Sequence, residues 1–329
     1  MDRRRFLQTV SATLFAAPLA AEAQQTGKVW RIGVLYRGNK SDAPTVLQPF
    51  LEGLRQLGYV EGKSMKLEIW SAESVQLRPI ASDLVRAKPD IIVVASAGHA
   101  AIVQEFTKTL PIVVLFGGEL VSLGVVASLA KPGGNVTGMQ MFGPELMGKR
   151  LQILQELLPG LRRLVVVRVP VQWPSRNLAV YRQAVEDPAT KLGLRVRYVG
   201  FDDVAELPTL FADIVKERDD AMLTWANPEM AVAFDRVRDL TIHHRLPTMC
   251  DGSGTWVRRG GLIAYGPRVA DLYRQAATYV HRILKGANPA DLPIGQPTTF
   301  ELVINAKTAK AIGLTIPPSL LSRADQVIE

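Results

Sequence analysis

The residues best suited to bind a small molecule follow short apolar runs of the chain. Ser96, Ala97, Gly98 and His99 come directly after the apolar residues 91–95 and predict the start of a helix. Free N–H groups and the positive end of the helix dipole at such a start suit a carboxylate, and Gly98 permits close approach of a ligand to the backbone. An ordinary capped helix start explains the same residues equally well.

Other polar and aromatic candidates occupy corresponding positions after other apolar runs. Glu119 follows Gly117 and Gly118, so its carboxylate beside a flexible turn could pair with an ammonium group. A solvated surface acid is the alternative for Glu119. The remaining candidates stand at or just beyond the ends of runs, where they could form the wall of a ligand site or part of the core: Tyr36, Trp173, Asn227, Asp251 and Tyr265.

The sequence lacks the usual signatures of enzymes and metal sites. Residues 36–40 do not contain G-x-G-x-x-G, and no P-loop or G-x-S-x-G occurs. His243 and His244 would lie about 100° apart on a helix and could not bind one metal together. The single cysteine, Cys250, excludes an intramolecular disulfide. We therefore expect no cofactor, no metal and no enzymatic activity.

The elements that must position these candidates are strands and helices in alternation. From residue 30 onward, short apolar runs alternate with segments of helical periodicity, which is typical of parallel α/β units. The pattern predicts two sheets of about five strands each, hence two doubly wound lobes whose functional loops lie at the carboxyl ends of the strands. Helices are expected at residues 100–108 and 121–129, and Pro188 should interrupt a helix that begins near residue 177.

The composition indicates a globular, soluble protein. Of 329 residues, 47% are hydrophobic and 21% are charged, which argues against long disorder and coiled coils. The net charge of +8 comes from scattered lysines and arginines, so no nucleic-acid-binding stripe is predicted. After the first residues, no run approaches the roughly 18 to 20 apolar residues that a membrane span needs.

The first 23 residues have the order of an export signal. Arg3, Arg4 and Arg5 precede an apolar stretch, and a small-residue cleavage point follows at Ala23. The Arg-Arg-x-Phe-Leu order resembles a twin-arginine signal, and an ordinary secretory signal is the alternative. We expect residues 1–23 to be removed and the protein to leave the cytoplasm.

Five segments carry a resemblance to a known family. They are RIGVL at 31–35, FLEGLRQLGYVEGK at 50–63, ASLAKPGGNVTG at 127–138, ELMGKRL at 145–151, and the ending 300–329 with IPPSLL at 316–321. With them the chain resembles the ABC-transporter substrate-binding proteins of the type I periplasmic-binding-protein fold, in the branch that includes binders of aromatic amino acids. The resemblance implies a periplasmic protein with two lobes that close on a small molecule and deliver it to a permease.

The expected organisation follows from this resemblance. We expect one lobe from residues 28–141 plus 267–290, a second from 142–266 plus 297–329, and a hinge near residues 139–142. The expected partners are an inner-membrane ABC permease and a small organic ligand, namely an aromatic or branched amino acid or an aromatic carboxylate. No nucleic acid is expected, and the protein should be a monomer. The alternatives are a sensing module for a membrane receptor and an exported α/β enzyme.

The sequence departs from the family pattern where ligand specificity should be set. The residues 97–99 replace Thr-Pro-Ala, Glu119 with Leu120 replaces Asp-Pro, and Trp173 adds a bulky aromatic to an Asn-Pro region.

The expected roles in the ligand site follow from these residues. The amides near residues 96–99 hold a ligand carboxylate, and Glu119 or Asp251 faces an ammonium group. The apolar part of the ligand is expected to lie against Trp173, Tyr36 and Tyr265.

Overall fold

The first sheet is built from the apolar runs of the amino-terminal third. The computed structural model describes residues 28–37, 40–72, 77–118, 120–168, 175–224, 228–250 and 254–329. Within these ranges, five parallel strands pair in the order β2-β1-β3-β4-β5. The strands are β1 (Trp30–Arg37), β2 (Met65–Ala72), β3 (Ile91–Val94), β4 (Ile112–Gly117) and β5 (Val136–Gln140).

Both faces of this sheet are buried, which explains the continuous apolar runs of its central strands. Successive residues of β3 point to opposite faces: Ile91 and Val93 belong to one core cluster, and Ile92 and Val94 belong to the other. The covering helices of this part of the chain are α1 (Ala43–Gln56), α2 (Leu77–Arg86) and α3 (Ala97–Gln104).

The second sheet has seven strands in the order β12-β11-β10-β9-β8-β6-β7. They are β6 (Arg163–Arg168), β7 (Arg195–Gly200), β8 (Ala221–Thr224), β9 (Thr248–Cys250), β10 (Ile263–Pro267), β11 (Phe300–Asn305) and β12 (Gln326–Ile328). All pairs are parallel except β10 with β11. The prediction of two parallel-sheet lobes is confirmed, but the expected count of about five strands is wrong for this sheet, because β11 and β12 come from the chain's ending.

The remaining helices follow the predicted alternation. They are α4 (Met147–Leu157), α5 (Ser175–Lys191), α6 (Leu207–Lys216), α7 (Pro228–His243), α8 (Thr255–Arg258), α9 (Val269–Leu284), α10 (Ala306–Ala311) and α11 (Pro318–Leu321). Short 3₁₀ turns occupy Pro144–Leu146, Val204–Glu206 and Pro289–Asp291.

Helix α9 returns from the second sheet to pack on the first. Its buried residues Leu272, Tyr273 and Ala276 join the core cluster of β1, β3 and α1. The approach to α1 is close, because a Cβ at Gly53 would lie 2.9 Å from that of Ala277. Glycine at position 53 therefore lets the two helices touch.

Three segments cross between the sheets: residues 141–143, Arg268 between β10 and α9, and residues 296–299. Just before the third crossing, Gly295 pairs with β5, since its amide donates to the Gly138 carbonyl at 2.8 Å and its carbonyl accepts from the Gln140 amide at 2.8 Å. The predicted hinge, residues 139–142, includes the end of β5 and the start of the first crossing. The lobe boundaries at 28–141 plus 267–290 and 142–266 plus 297–329 stay a prediction.

Two local predictions of helices were wrong, and the bounds of a third helix differ from those predicted. The helix predicted at residues 100–108 is present, but it begins at Ala97, directly after the predicted start at Ser96, and ends at Gln104. Residues 121–129 form turns instead of a helix, because Gly124 adopts a φ of +71° and ends the first turn. Pro188 does not interrupt α5: a proline removes one N–H donor, and the last turn continues with Leu192 donating to the Pro188 carbonyl at 3.0 Å.

Candidate functional site

The carboxyl edge of the first sheet brings three predicted site residues to one place. Strands β1, β3 and β4 are neighbours, and their register aligns Leu35 with Val94 and Val94 with Val114. Tyr36 is the last residue but one of β1, Ser96 lies two residues beyond the end of β3, and Gly118 follows β4 directly. These residues therefore lie along the same edge, as the strand-end argument predicted.

Ser96 caps the helix that begins at this edge. Its backbone is extended, with φ −141° and ψ 165°, and its Oγ accepts a hydrogen bond from the His99 amide at 3.3 Å. The Ser96 carbonyl accepts from the Ala100 amide at 3.1 Å. The predicted helix start is confirmed, and the amides of Ala97 and Gly98 belong to its first turn, where the helix itself supplies no acceptor for them.

Gly98 and His99 face different surroundings. Gly98 is exposed, and a Cβ built there would meet Ser96 Oγ at 3.9 Å, so a ligand has room to approach this amide. The His99 side chain is only 4% exposed and shares the buried face of α3 with Ala97, Ala100 and Val103. The imidazole therefore packs in the core beneath α3, and its contact with a ligand stays a prediction.

Tyr36 lies half-buried against the core of the first lobe. Burial raises the pKa of its phenol, and the negative charge of Asp42 adds to that effect. Its neighbour Tyr273, on α9, is more deeply buried, which together with Tyr36 raises the pKa of Tyr273 to about 12. Both phenols therefore stay neutral at physiological pH.

Tyr265 stands beside the crossing segments in a row of three aromatic rings. Its ring stacks on Phe300, with centroids 6.3 Å apart, and Phe300 stacks on Phe142 at 6.1 Å. Phe142 lies on the first crossing and Phe300 begins β11 just after the third. The ring predicted to line a ligand thus also packs two crossings together.

Arg150, on α4, is the most deeply buried charged residue of the described ranges, and the sequence argument missed it. Its guanidinium is fully buried and donates from Nε to the Tyr265 carbonyl at 2.8 Å and from Nη1 to the Gly143 carbonyl at 2.9 Å. It therefore joins the first crossing to the strand that leads into the second. The sequence does contain a sign of this burial: the helical spacing places Arg150 on the same apolar face as Met147, Leu151 and Leu154.

Glu301, on β11, is a second buried charge near the crossings. Its Oε1 accepts a hydrogen bond from the Gly254 amide at 3.0 Å, and its Oε2 lies 3.1 Å from Arg258 Nη2. Arg268, on the second crossing, has its Nε 3.8 Å from Glu301 Oε2 and 4.0 Å from Asp271 Oδ2 on α9. This group of side chains ties the chain after β9 to a crossing and to the first lobe.

Gly118 approaches the second lobe. A Cβ at this position would lie 3.3 Å from the hydroxyl oxygen of Tyr181 on α5, a residue that the sequence argument did not select. Glu119, Trp173, Asn227 and Asp251 lie outside the described residues, as does the predicted signal 1–23. In the sequence, the four candidate residues follow β4, β6, β8 and β9, in that order.

The described ranges contain neither a metal-binding cluster nor a membrane-spanning helix. No group of three or more His, Cys, Asp or Glu side chains could hold a metal ion there. No helix in that part of the chain is both long enough and apolar enough to cross a membrane. Cys250 is buried, as expected for a small apolar side chain.

Two lobes with parallel sheets, joined by three crossings and carrying the Ser96-capped helix start at a carboxyl edge, are typical of the class of two-lobed binding proteins. A family model described as ABC transporter substrate binding protein matches residues 41–328. The chain belongs to this family, and the resemblance seen in the sequence is confirmed.

Individual relatives share the fold over most of the chain. A tyrosine-binding protein of Clostridioides difficile is 25% identical over 267 residues, which are 80% of this chain and 75% of the relative. The structure of an ABC domain in complex with L-Trp from Streptococcus pneumoniae has a TM-score of 0.81 and 25% identity, covering 92% of this chain and all of that one. A conserved domain protein from Vibrio cholerae has a TM-score of 0.82 and 25% identity, covering 91% and 100%.

Proposed function

We propose that this protein is the substrate-binding component of an ABC importer and captures an amino acid with an aromatic side chain between its lobes. The observation that carries the proposal is the carboxyl edge of the first sheet, where the Ser96-capped start of α3 presents the Ala97 and Gly98 amides. The tyrosine-binding and L-Trp-bound relatives support the choice of ligand class.

In this proposal the ligand's three chemical groups meet three kinds of residue. The carboxylate accepts hydrogen bonds from the amides of Ala97 and Gly98 at the positive end of α3. The ammonium group pairs with Glu119 or Asp251. The aromatic part lies against Tyr36, Trp173 and Tyr265, and Asn227 stands at the same rim after β8.

The same proposal covers the protein's movement and place in the cell. The lobes, 28–141 plus 267–290 and 142–266 plus 297–329, close about the three crossings, since ligand contacts from both lobes favour the closed state. The chain is exported with its first 23 residues removed, acts in the periplasm as a monomer, and delivers its ligand to an inner-membrane permease. It performs no catalysis.

Calorimetric titration of the purified protein tests the ligand class. The panel consists of L-tryptophan, L-tyrosine, L-phenylalanine, L-leucine and benzoate, and small-angle scattering records the radius of gyration with and without each compound. We expect binding of at least one aromatic amino acid together with a smaller radius. Folded protein that binds none of the five would refute the proposed ligand class.

A pair of glutamate variants tests the ammonium contact. Glu119→Gln should weaken binding of a zwitterionic amino acid by about 1–3 kcal/mol, because a charge-assisted hydrogen bond is lost. Glu217→Gln is the matched control, since Glu217 follows α6 before β8 begins, at the opposite edge of the second sheet. Equal affinities for the two variants would remove Glu119 from the site.

A further inference from the structure

Tyr181 is a residue of the second lobe that reaches the first. It lies on α5 and is 8% exposed, and its ring packs in the core cluster that contains Met147, Leu151 and Val185. This packing fixes the ring to the second lobe. The position of its hydroxyl is therefore set by the lobe as a whole.

The hydroxyl end of Tyr181 lies against two glycines outside its own lobe's core. A Cβ built on Gly118, after β4 of the first sheet, would lie 3.3 Å from the hydroxyl oxygen. A Cβ built on Gly143, on the first crossing, would lie 3.1 Å from the same oxygen and 3.5 Å from Cε1. The hydroxyl thus stands where the two lobes and a crossing meet.

The backbone does not explain why these two positions are glycine. Neither Gly118 nor Gly143 is among the glycines of positive φ, so an alanine could adopt either conformation. The space does explain it, because a methyl group at 3.1–3.3 Å from an oxygen is closer than ordinary van der Waals contact. The Tyr181 hydroxyl therefore packs against Gly118 and Gly143 so closely that no larger side chain fits at either position without a shift.

We propose that Tyr181 is a positioning residue of the binding cleft. Its hydroxyl sets the distance between the second lobe and the loop after β4, and thereby the affinity for the ligand. This inference rests on the ligand-binding function proposed above. Gly118 precedes the predicted ammonium partner directly in sequence, so a change in this distance moves one wall of the site against the other.

Removal of the hydroxyl alone is the first test. Tyr181→Phe keeps the ring in the core, so the unfolding midpoint should change little. The affinity for L-tryptophan or L-tyrosine should fall about three- to tenfold, because the gap left by the oxygen no longer holds the loop after β4 at its distance from the second lobe. Tyr198→Phe is the matched control, because the Tyr198 hydroxyl donates to the Arg182 carbonyl on the same helix at 3.3 Å. Equal affinities of the wild type and Tyr181→Phe would overturn the inference.

A double-mutant cycle tests the geometry directly. Gly118→Ala should weaken binding in the wild type, because its methyl group presses on the Tyr181 hydroxyl and holds the lobes apart. In the Tyr181→Phe background the opposing oxygen is gone. The loss of affinity caused by Gly118→Ala should therefore be smaller there than in the wild type, by a factor of about three or more. Gly160→Ala, at an open position without positive φ, is the control. Additive effects of the two substitutions would refute a contact.

The two proposals can fail separately. If the wild type binds neither amino acid, the proposed ligand class fails, and the role of Tyr181 in affinity fails with it. The same cycle measured as free energy of unfolding then still shows whether residues 118 and 181 are in contact. If the wild type binds and the cycle is additive, only the inference about Tyr181 is wrong.

Discussion

The carboxylate of Glu301 offers a sharp test of how the chain after β9 is held in place. Its side chain is 5% exposed, and Oε1 accepts the Gly254 amide at 3.0 Å. Gly254 sits so close that a Cβ there would lie 2.9 Å from Oε1 and 2.4 Å from Val303 Cγ2. Two substitutions separate the hydrogen bond from the charge: Glu301→Gln keeps an acceptor oxygen, and Glu301→Ala removes it.

The expected costs follow from the hydrogen bond with Gly254 and from the shorter of the two ion pairs, the one with Arg258. The hydrogen bond from a buried amide to a carboxylate contributes about 1.5–3 kcal/mol. The ion pair with Arg258 contributes about 0.2–1 kcal/mol, because 43% of the Arg258 side chain is exposed. Glu301→Gln should therefore lower the free energy of unfolding by about 1 kcal/mol, and Glu301→Ala by about 2–4 kcal/mol, since the Gly254 amide then lacks an acceptor.

Urea unfolding followed by circular dichroism measures both free energies. Hydrogen exchange of a peptide that contains Gly254 should be faster in Glu301→Ala than in Glu301→Gln, because only the alanine variant frees this amide. Glu217→Gln provides the baseline for loss of a surface carboxylate. Equal unfolding free energies and equal exchange for the Gln and Ala variants would show that the bond to Gly254 contributes nothing.

Two further predictions concern the first lobe. The buried Tyr273 has a pKa raised to about 12, so as pH rises from 10 to 12 the unfolded chain loses this proton first and stability falls; Tyr273→Phe should reduce that loss by about 2–3 kcal/mol, measured by urea unfolding at pH 9 and pH 12. An identical alkaline loss in both proteins would contradict this. Gly138→Ala should lower the unfolding free energy by at least about 2 kcal/mol, because φ is +129° and the Cβ would lie 2.2 Å from the Val114 carbonyl oxygen, whereas Gly134→Ala, with open space around it, should cost less than half as much. Similar values for the two alanine variants would refute the packing argument.

Much of the fold was predictable from local pattern, because alternation of apolar runs with helical periods depends on neighbouring residues alone. The strand β3 coincides with the predicted apolar run at residues 91–95, and the Ser96 helix start was correctly placed. The helix expected at 121–129 failed because one glycine in the left-handed region ended it. The interruption expected at Pro188 was also wrong, because α5 tolerates the loss of one N–H donor near its end and continues through this residue.

The candidate site was predictable only in part. Strand-end reasoning placed Tyr36, Ser96 and Gly118 on one edge, because parallel strands share a direction. It gave no weight to Arg150 or Glu301, whose importance comes from contacts with segments 115 and 47 residues away in sequence. It also missed Tyr181, whose meeting with Gly118 depends on the relative placement of two lobes.

The sequence by itself determined the type and order of most of the elements, the two-sheet architecture and the family. The tertiary structure alone decided that α9 packs back on the first sheet, that β11 joins the second in antiparallel fashion, and that a tyrosine of one lobe abuts a glycine of the other. The physical reason is the sequence separation over which each interaction acts. Periodicity and capping act within one or two turns of chain, whereas these contacts are fixed only when the packing of both sheets is complete.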